Sequence, residues 1–549
     1  MQARYDYIVV GAGSAGCAVA GRLSADPNVS VALLEAGGKD TSPWVHIPVG
    51  YFKTMGNPKT DWCYQTQPDP NLNNRSLNWP RGKLLGGSSS INGLLYVRGQ
   101  PQDFDEWRQL GNSGWGWEDV LPHFKAAEHW EGSDTDNDTN NDGDKETNER
   151  GTGGPLHVAP NRVKRYIVDA WLESAVASGY QWTEDYNRTD QSGISHFQMT
   201  MRGGWRCSSA VAYLRPARQR RNLTIITHAH AHKILIKQNR AIGVRLKQKT
   251  TTREIFAKRE IIISSGAINS PQLLMLSGVG DGRQLQNLGI ETQVDLPGVG
   301  RNLQDHLQAR PIYQCSTTST INTEIRNPLR LVGMALQYAW NRTGPMAMAV
   351  SLGTGFIKSH DGLSRPDLQF HIQPFSADNP AEGTHKFSAF TASVLQLRPE
   401  SRGHIALTSP DPDTPPAIHP NYLAEQIDCD TLVAGIKITR KISATPPVSH
   451  LITGEYTPGE TVRPNDDEAI LKWARETATT IYHPTGTCKM GREGDKFAVL
   501  DSRLRVRGVA GLRVADASIM PNITSGNTNA PAIMIGEKCA AMVKEDWRG

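Results

Sequence analysis

The residues with the plainest chemical purpose are Gly11, Gly13 and Gly16, spaced G-x-G-x-x-G directly after an apolar run, Tyr5 to Val10. That spacing suits a dinucleotide. Gly11 permits a tight turn, Gly13 lets backbone approach a pyrophosphate, and Gly16 lets the next helix lie close on the strand. Ser14 and Ala15 open that helix, expected over residues 14–24, whose free N–H groups and positive dipole end face the phosphates. A second apolar run, Val29 to Leu34, ends in Glu35. Lying about 20 residues beyond the glycines, it is placed to accept ribose hydroxyls and repel a 2′-phosphate. Strand, glycines, helix and acid together point to FAD or NAD, which the triplet alone does not separate; a structural glycine turn is the bland alternative.

Other clusters carry less. His228, His230 and His232 alternate, so a strand would set them on one face, but no acid or cysteine cluster accompanies them. Solvated or packing histidines are therefore favoured, and no metal site is expected. Gly86 and Gly87 precede Ser88, where small residues would admit a flat ligand and hydroxyls would donate to it. A glycine-rich loop between strands would look the same. The acidic stretch DTDNDTNNDGDKETNER lacks the register of a calcium loop and has too few apolar residues to offset the entropy of ordering, so 133–150 is expected to be a mobile surface insertion.

The elements that must position these groups fit within 549 residues, enough for two domains or more. Hydrophobic content of 38% and charged content of 21% are those of a soluble globular protein. The net charge of +4 is small and its basic residues are scattered, which argues against nucleic acid. Seven dispersed cysteines without C-x-x-C favour reduced thiols and a cytoplasmic setting, and no basic-then-apolar leader precedes the first strand. No stretch of 18 apolar residues suggests a transmembrane span. Residues 36–81 form a long irregular connection, expected to lie over the cofactor. Strand-like runs at 222–237, 242–246 and 260–264 return toward the dinucleotide sheet, whereas 305–475, with LQFHIQPF and FTASVLQL, reads as an antiparallel sheet with helices.

Several ordered motifs together resemble the glucose-methanol-choline (GMC) oxidoreductases over nearly the whole chain, closest to bacterial FAD-dependent alcohol and choline dehydrogenases. They are GAGSAG with Glu35, GKLLGGSSSIN (82–92), GAINSPQLLMLSGVG (266–280), GVGRNLQDH (298–306), YHPTGTCKMG around His483, and RVADASIMPNITSGNTNAPAIMIGEK (513–538). The resemblance implies an α/β protein: a Rossmann-like FAD-binding domain (1–40, 82–155, 205–304 and 476–549) with an inserted α+β substrate domain built on an antiparallel sheet. Residues 41–81, 156–204 and 305–475 would form that domain and the segments covering the cofactor. It places Gly86 to Asn92 beside the flavin and pyrophosphate, Ala229 near the adenine, Asp516 and Ala517 on the pyrophosphate side, and Asn529 and Pro531 at the pyrimidine edge. Ala36, Arg81, Gly93 and Leu95 join the cofactor set. Ile91 stands where some members attach FAD through histidine, implying noncovalent FAD.

The family's catalytic pair falls on His483 and Asn527. Alone, His483 is one of 16 histidines and Asn527 an ordinary turn residue. Chemically the pair suits alcohol oxidation: a neutral imidazole accepts the hydroxyl proton, an amide donates to the developing alkoxide, and the flavin takes the hydride. Choline-oxidising members place a carboxylate near the position of Leu352 here. A pocket of Met346, Met348, Val350 and Leu352 is therefore expected, taking a neutral aliphatic, aromatic or polyether primary alcohol to its aldehyde.

Electrons would pass to a quinone or other acceptor, which would bring the chain to the inner face of a membrane, although no strongly amphipathic basic helix announces such contact. An oxygen-using oxidase, a choline dehydrogenase and a lyase-type or noncatalytic member are the alternatives. A nicotinamide-dependent reductase would need a second G-x-G-x-x-G after a strand, and none occurs.

Overall fold

The computed structural model describes residues 3–132, 149–316, 320–378 and 383–548. The expected acidic insertion lies outside them except at its end. There Arg150 is buried rather than on a mobile surface, bonded to Glu128 at 2.5 Å and Asp185 at 2.8 Å. A charged residue next to a polar tract looks solvated until its partners, distant in sequence, are known.

Strand β1 (Arg4–Val10) is apolar and buried over its last residues because it has neighbours on both edges. It runs parallel to β2 (Val31–Leu34), with Tyr7 opposite Val31 and Val10 opposite Leu34. On its other edge it runs parallel to the end of the strand Thr251–Ile263, with Val10 opposite Ile263. Leu223–Ile226 continues the sheet beyond β2, and Leu512–Val514 pairs parallel to Ile261–Ile263. The first part of Thr251–Ile263 instead joins an antiparallel ribbon with Arg240–Gln248 and Ala229–Lys237. These strands are longer than their apolar runs suggest, because ribbon pairing extends them through polar residues.

The chain thus leaves β1 toward one edge and returns on the other, which opens a crevice at the carboxyl ends of β1 and Thr251–Ile263. The helix α1 (Ser14–Leu23) follows β1 and packs on the helix Asn529–Asp546. Approach there is close: a Cβ on Gly536 would stand 2.5 Å from the Ala15 carbonyl oxygen.

A second sheet, antiparallel throughout, runs in the order Ile452–Thr457, Ile312–Cys315, Ala389–Gln396, Leu368–Gln373, Gly353–Ile357, Gly193–His196. Leu307–Ala309 pairs both with Ala389–Gln396 and with Thr479–Thr480. Its two faces follow the period of two. In Leu368–Gln373, Leu368 and Phe370 meet the helices Gln426–Ser443 and Tyr166–Ala177, whereas His371 and Gln373 face a cavity shared with the first sheet.

One helix stands apart. Pro328–Asn341 buries only Tyr338, and exposes Leu329 (83%), Val332, Leu336 and Trp340 (91%). Arg326, Arg330 and Arg342 flank or begin it, and no acid occurs from Ile325 to Gly344. It is a basic amphipathic helix, which the sequence was not expected to contain.

Candidate functional site

One cavity of about 670 Å³ runs from the carboxyl end of β2 past the N-terminus of α1 to the antiparallel sheet. At its first end, Glu35 accepts from the backbone N–H of Ala12 (3.1 Å) and of Gly37 (2.8 Å), with Ala36 and Ala229 beside it on the wall. Gly11 has φ +100°, and a Cβ there would lie 2.4 Å from the Ser264 carbonyl oxygen. Gly13 to Ala15 line the middle of the cavity. The Gly86–Gly87 turn closes on them: Gly86 N–H donates to the Ala12 carbonyl at 2.8 Å, and a Cβ on Gly87 would stand 2.7 Å from the Gly13 Cα.

Asp516 fastens the opposite wall. Its Oδ2 accepts from Gly266 N–H (2.9 Å) and Ser270 Oγ (2.5 Å), which ties the Gly266–Leu276 helix to the loop after Leu512–Val514. Ser14 Oγ donates to Asn529 Oδ1 at 2.8 Å, so the N-termini of α1 and of Asn529–Asp546 meet. Neither helix has a side-chain cap, which leaves their first N–H groups for a ligand. Glycine-bared backbone, two uncapped helix ends and a buried carboxylate at the far end form the donor and acceptor set of a dinucleotide such as FAD.

Burial pushes the Glu35 carboxyl up to about 7, against the pull of its two N–H donors and Lys83. Ribose hydroxyls donating to it would favour the anion and lower that value. FAD uptake by apoprotein should therefore release protons and strengthen as pH rises through 7, by up to about tenfold. Flavin fluorescence titrations below and above neutrality test this; equal affinity would remove Glu35 from the ribose contact.

At the other end stands His483. Its Nε2 is 3.1 Å from Asn527 Nδ2, and its Nδ1 is 3.0 Å from His306 Nδ1. His306 Nε2 lies 2.8 Å from the Leu397 carbonyl oxygen, which can only accept. A neutral His306 must donate through Nε2, so its Nδ1 accepts from His483 Nδ1–H. That assigns His483 a bare Nε2, facing Asn527 and the cavity. Burial, then His306, His371 and Arg81, holds His483 well below the usual imidazole range, and burial takes His306 down to about 4, so both are neutral near pH 7.

The backbone around His483 is fixed from several sides. Asp305 Oδ1 accepts from His483 N–H (2.6 Å), and its Oδ2 from Thr480 and Tyr422 hydroxyls (2.5 Å each). Burial raises the Asp305 carboxyl to about 6 and these donors oppose the rise. Arg81 donates to the Tyr482 carbonyl at 2.6 Å, which holds Tyr482 at φ +71°. Asn527 follows Ser525, whose N–H and hydroxyl both donate to Asp103, and its Oδ1 accepts from Gln369 at 3.3 Å.

Most residues singled out from the sequence lie on this cavity: those named above, with Arg81, Ser88, Asn92, Gly93, Leu95 and Ala517. Gly16, Gly86 and Pro531 do not line it; Gly16 instead packs against the Gly11 carbonyl. The expected apolar pocket is not formed. Met348 and Leu352 are fully buried in the core and Met346 packs against it, so of the four only Val350 reaches the cavity, where it fills the space of a Cβ at Gly93. Pro345–Ala347 is a 3-10 turn and the strand starts only at Gly353, so strand alternation does not hold over 346–352.

His228 has φ +54° and precedes the strand, so it does not share a face with its neighbours. His230 and His232 do, and contrary to expectation an acid joins them: Asp413 lies 3.1 and 3.5 Å away, already bonded to Lys247 at 2.6 Å. The seven cysteines form no disulfide, and six of them are buried.

Asp305, His306, His371, Gln308 and Arg310 escaped notice in the sequence. Asp305 and His306 lay in a quoted motif and His371 in the strand-like run LQFHIQPF; for Gln308 and Arg310 the signal was their alternation with Leu307, Ala309 and Pro311.

Known proteins agree with this geometry. GMC oxidoreductase family models match residues 5–308 and 399–536. An alcohol dehydrogenase (acceptor) of Pseudomonas putida is 42% identical over 542 residues, 98% of this chain and 95% of its own. The mitochondrial choline dehydrogenase of Mus musculus is 39% identical, over 98% of this chain and 89% of its own. Among solved structures, a formate oxidase of Aspergillus oryzae, studied for modification of its FAD, superposes with TM-score 0.91 at 28% identity, covering 100% of this chain and 99% of its own. A pyridoxine 4-oxidase does so with TM-score 0.86 at 29% identity, covering 98% of each chain. With nearly its whole length matched by such relatives, and its crevice built as its glycine motifs require, the chain belongs to the GMC oxidoreductases.

Proposed function

We propose that the protein oxidises a primary alcohol to its aldehyde with noncovalently bound FAD. The observation that carries this is the bare Nε2 of a neutral His483, held against Asn527 at the end of the dinucleotide crevice. His483 Nε2 takes the hydroxyl proton as the carbon–hydrogen bond weakens, and Asn527 Nδ2 donates to the oxygen as it gains charge. Bound FAD supplies the hydride acceptor. Gly11, Gly13, Ser14, Ala15 and Asn529 would hold the cofactor, and the antiparallel sheet covers the reacting carbon and keeps water from it. Ile91 offers no nucleophile to the flavin, so acid denaturation should release all the colour into the supernatant; retained yellow precipitate would contradict noncovalent binding.

Anaerobic addition of primary alcohols to the holoprotein should bleach its flavin band at about 450 nm. Failure with every alcohol would overturn the proposal, and immediate recovery in air would mark an oxidase rather than a dehydrogenase.

We assign the electrons to a membrane quinone because of the helix Pro328–Asn341. Among the described residues no helix is long and apolar enough to cross a membrane. This one suits an interface, with leucines and Trp340 for the acyl boundary and the exposed Arg326 and Arg330 for anionic headgroups. The protein should sediment with anionic vesicles, and a Leu336→Glu/Trp340→Glu variant should remain in solution while keeping wild-type turnover with a soluble acceptor. Equal sedimentation of the two would remove the helix from any membrane role.

A further inference from the structure

The wall of the cavity beside the antiparallel sheet carries a cation, Arg310, that forms no ion pair among the described residues. Arg310 lies in the short link between the strands Leu307–Ala309 and Ile312–Cys315, and lines the cavity together with Gln308 and Ile312. Its Nε is buried without a hydrogen-bond partner. Asp378, which lies on the same cavity and acts on it electrostatically, is largely exposed and sits 3.0 Å from His385. Arg310 is half-buried, and an anion entering the cavity would satisfy it through charge-assisted, bidentate hydrogen bonds.

The surroundings are polar too. Oε1 of Gln308 and Oε1 of Gln373 are buried without partners, as are both ring nitrogens of His371. These groups stand on the same wall as Arg310 and close to the reaction centre: Tyr482, next to His483 in the chain, is within electrostatic reach of Arg310, and His371 of His483 itself. An apolar alcohol would leave all of them unsatisfied.

We propose that Arg310 binds a carboxylate on the substrate, so that the preferred substrates are hydroxy acids whose primary hydroxyl reaches His483 while the acid end lies on Arg310, with Gln308 and Gln373 taking further polar groups. This rests on the alcohol-oxidising function proposed above. It also sets the site against quaternary ammonium alcohols such as choline, which would place like charges together.

The holoenzyme can be tested with a series of ω-hydroxy acids against the matching neutral alcohols, for example ω-hydroxyhexanoate against hexan-1-ol, comparing kcat/KM. The wild type should prefer the acid of best length by about tenfold or more. Arg310→Leu should lose that preference and Arg310→Lys keep part of it. Hexanoate provides a readout without turnover: it should raise the melting temperature of wild-type holoenzyme and not that of Arg310→Leu. No preference for any acid in the wild type, or equal stabilisation of both proteins by carboxylates, would overturn the proposal. If neutral alcohols are oxidised and carboxylates have no effect, the anion site falls and alcohol oxidation stands. If no alcohol is oxidised but hexanoate protects only the wild type, the anion site stands and alcohol oxidation falls.

Discussion

His483→Ala is expected to lower kcat by about 10²- to 10⁴-fold, the range over which a positioned general base acts, while FAD content and melting temperature stay near wild type. The side chain is buried, but its hydrogen bonds go to His306 and Asn527, and the backbone that shapes the cavity is held by Asp305 and Arg81 independently of the imidazole. Truncation therefore removes the proton acceptor and leaves the cofactor crevice intact. Anaerobic stopped-flow reduction of the flavin reads the effect directly, and wild-type reduction rates would dismiss His483 as the base. The pH profile gives an independent check. Because burial and cationic or imidazole neighbours depress the pKa of His483, the neutral, competent form persists as pH falls through 6.5, and kcat/KM should decline only below that value. A decline beginning above 6.5 would mean that another group titrates first.

How much of this was legible in the sequence depends on distance along the chain. β1, the glycines, α1, β2 and Glu35 lie within 35 residues, and their spacing alone dictates the turn, the helix direction and the acid, so they were read nearly as they stand. His483 and Asn527 became visible only through motifs, because no local pattern distinguishes a catalytic histidine from a packing one. Contacts between distant segments were invisible. His306 and His483 are 177 positions apart, and Asp413 approaches His230 from 183 positions away. The apolar pocket failed for another reason. To line one pocket, Met346, Met348, Val350 and Leu352 would have to share a face as an extended strand does, whereas the chain turns at Pro345–Ala347, and a shift of phase moves a side chain from cavity to core. Three residues that do face the cavity, Gln308, Arg310 and Gln373, are polar, which the hydrophobic pattern discounts by construction.

Removing the acceptor that sets the tautomer of His483 should produce the second large effect. The Leu397 carbonyl accepts from His306 Nε2, which makes His306 Nδ1 an acceptor and His483 Nδ1 the donor to it. In His306→Leu the His483 Nδ1–H has no partner, and the proton is free to move to Nε2, where it blocks the base. A base in the wrong tautomer loses orders of magnitude, so kcat should fall by about 10²- to 10³-fold. KM should change little, since His306 is fully buried behind His483 and does not line the cavity. His306→Asn is the discriminating variant: its amide oxygen can occupy the place of Nδ1 and accept from His483, so it should recover a substantial part of the loss. A purely structural His306 would behave otherwise, with both variants losing melting temperature and bound FAD together and the kcat loss tracking that instability. If both variants instead reduce the flavin at the wild-type rate, the tautomer of His483 is set by Asn527 alone. The amide would suffice for this, because Asn527 Nδ2, which can only donate, is the only other group within hydrogen-bond distance of the ring among the described residues and keeps Nε2 bare.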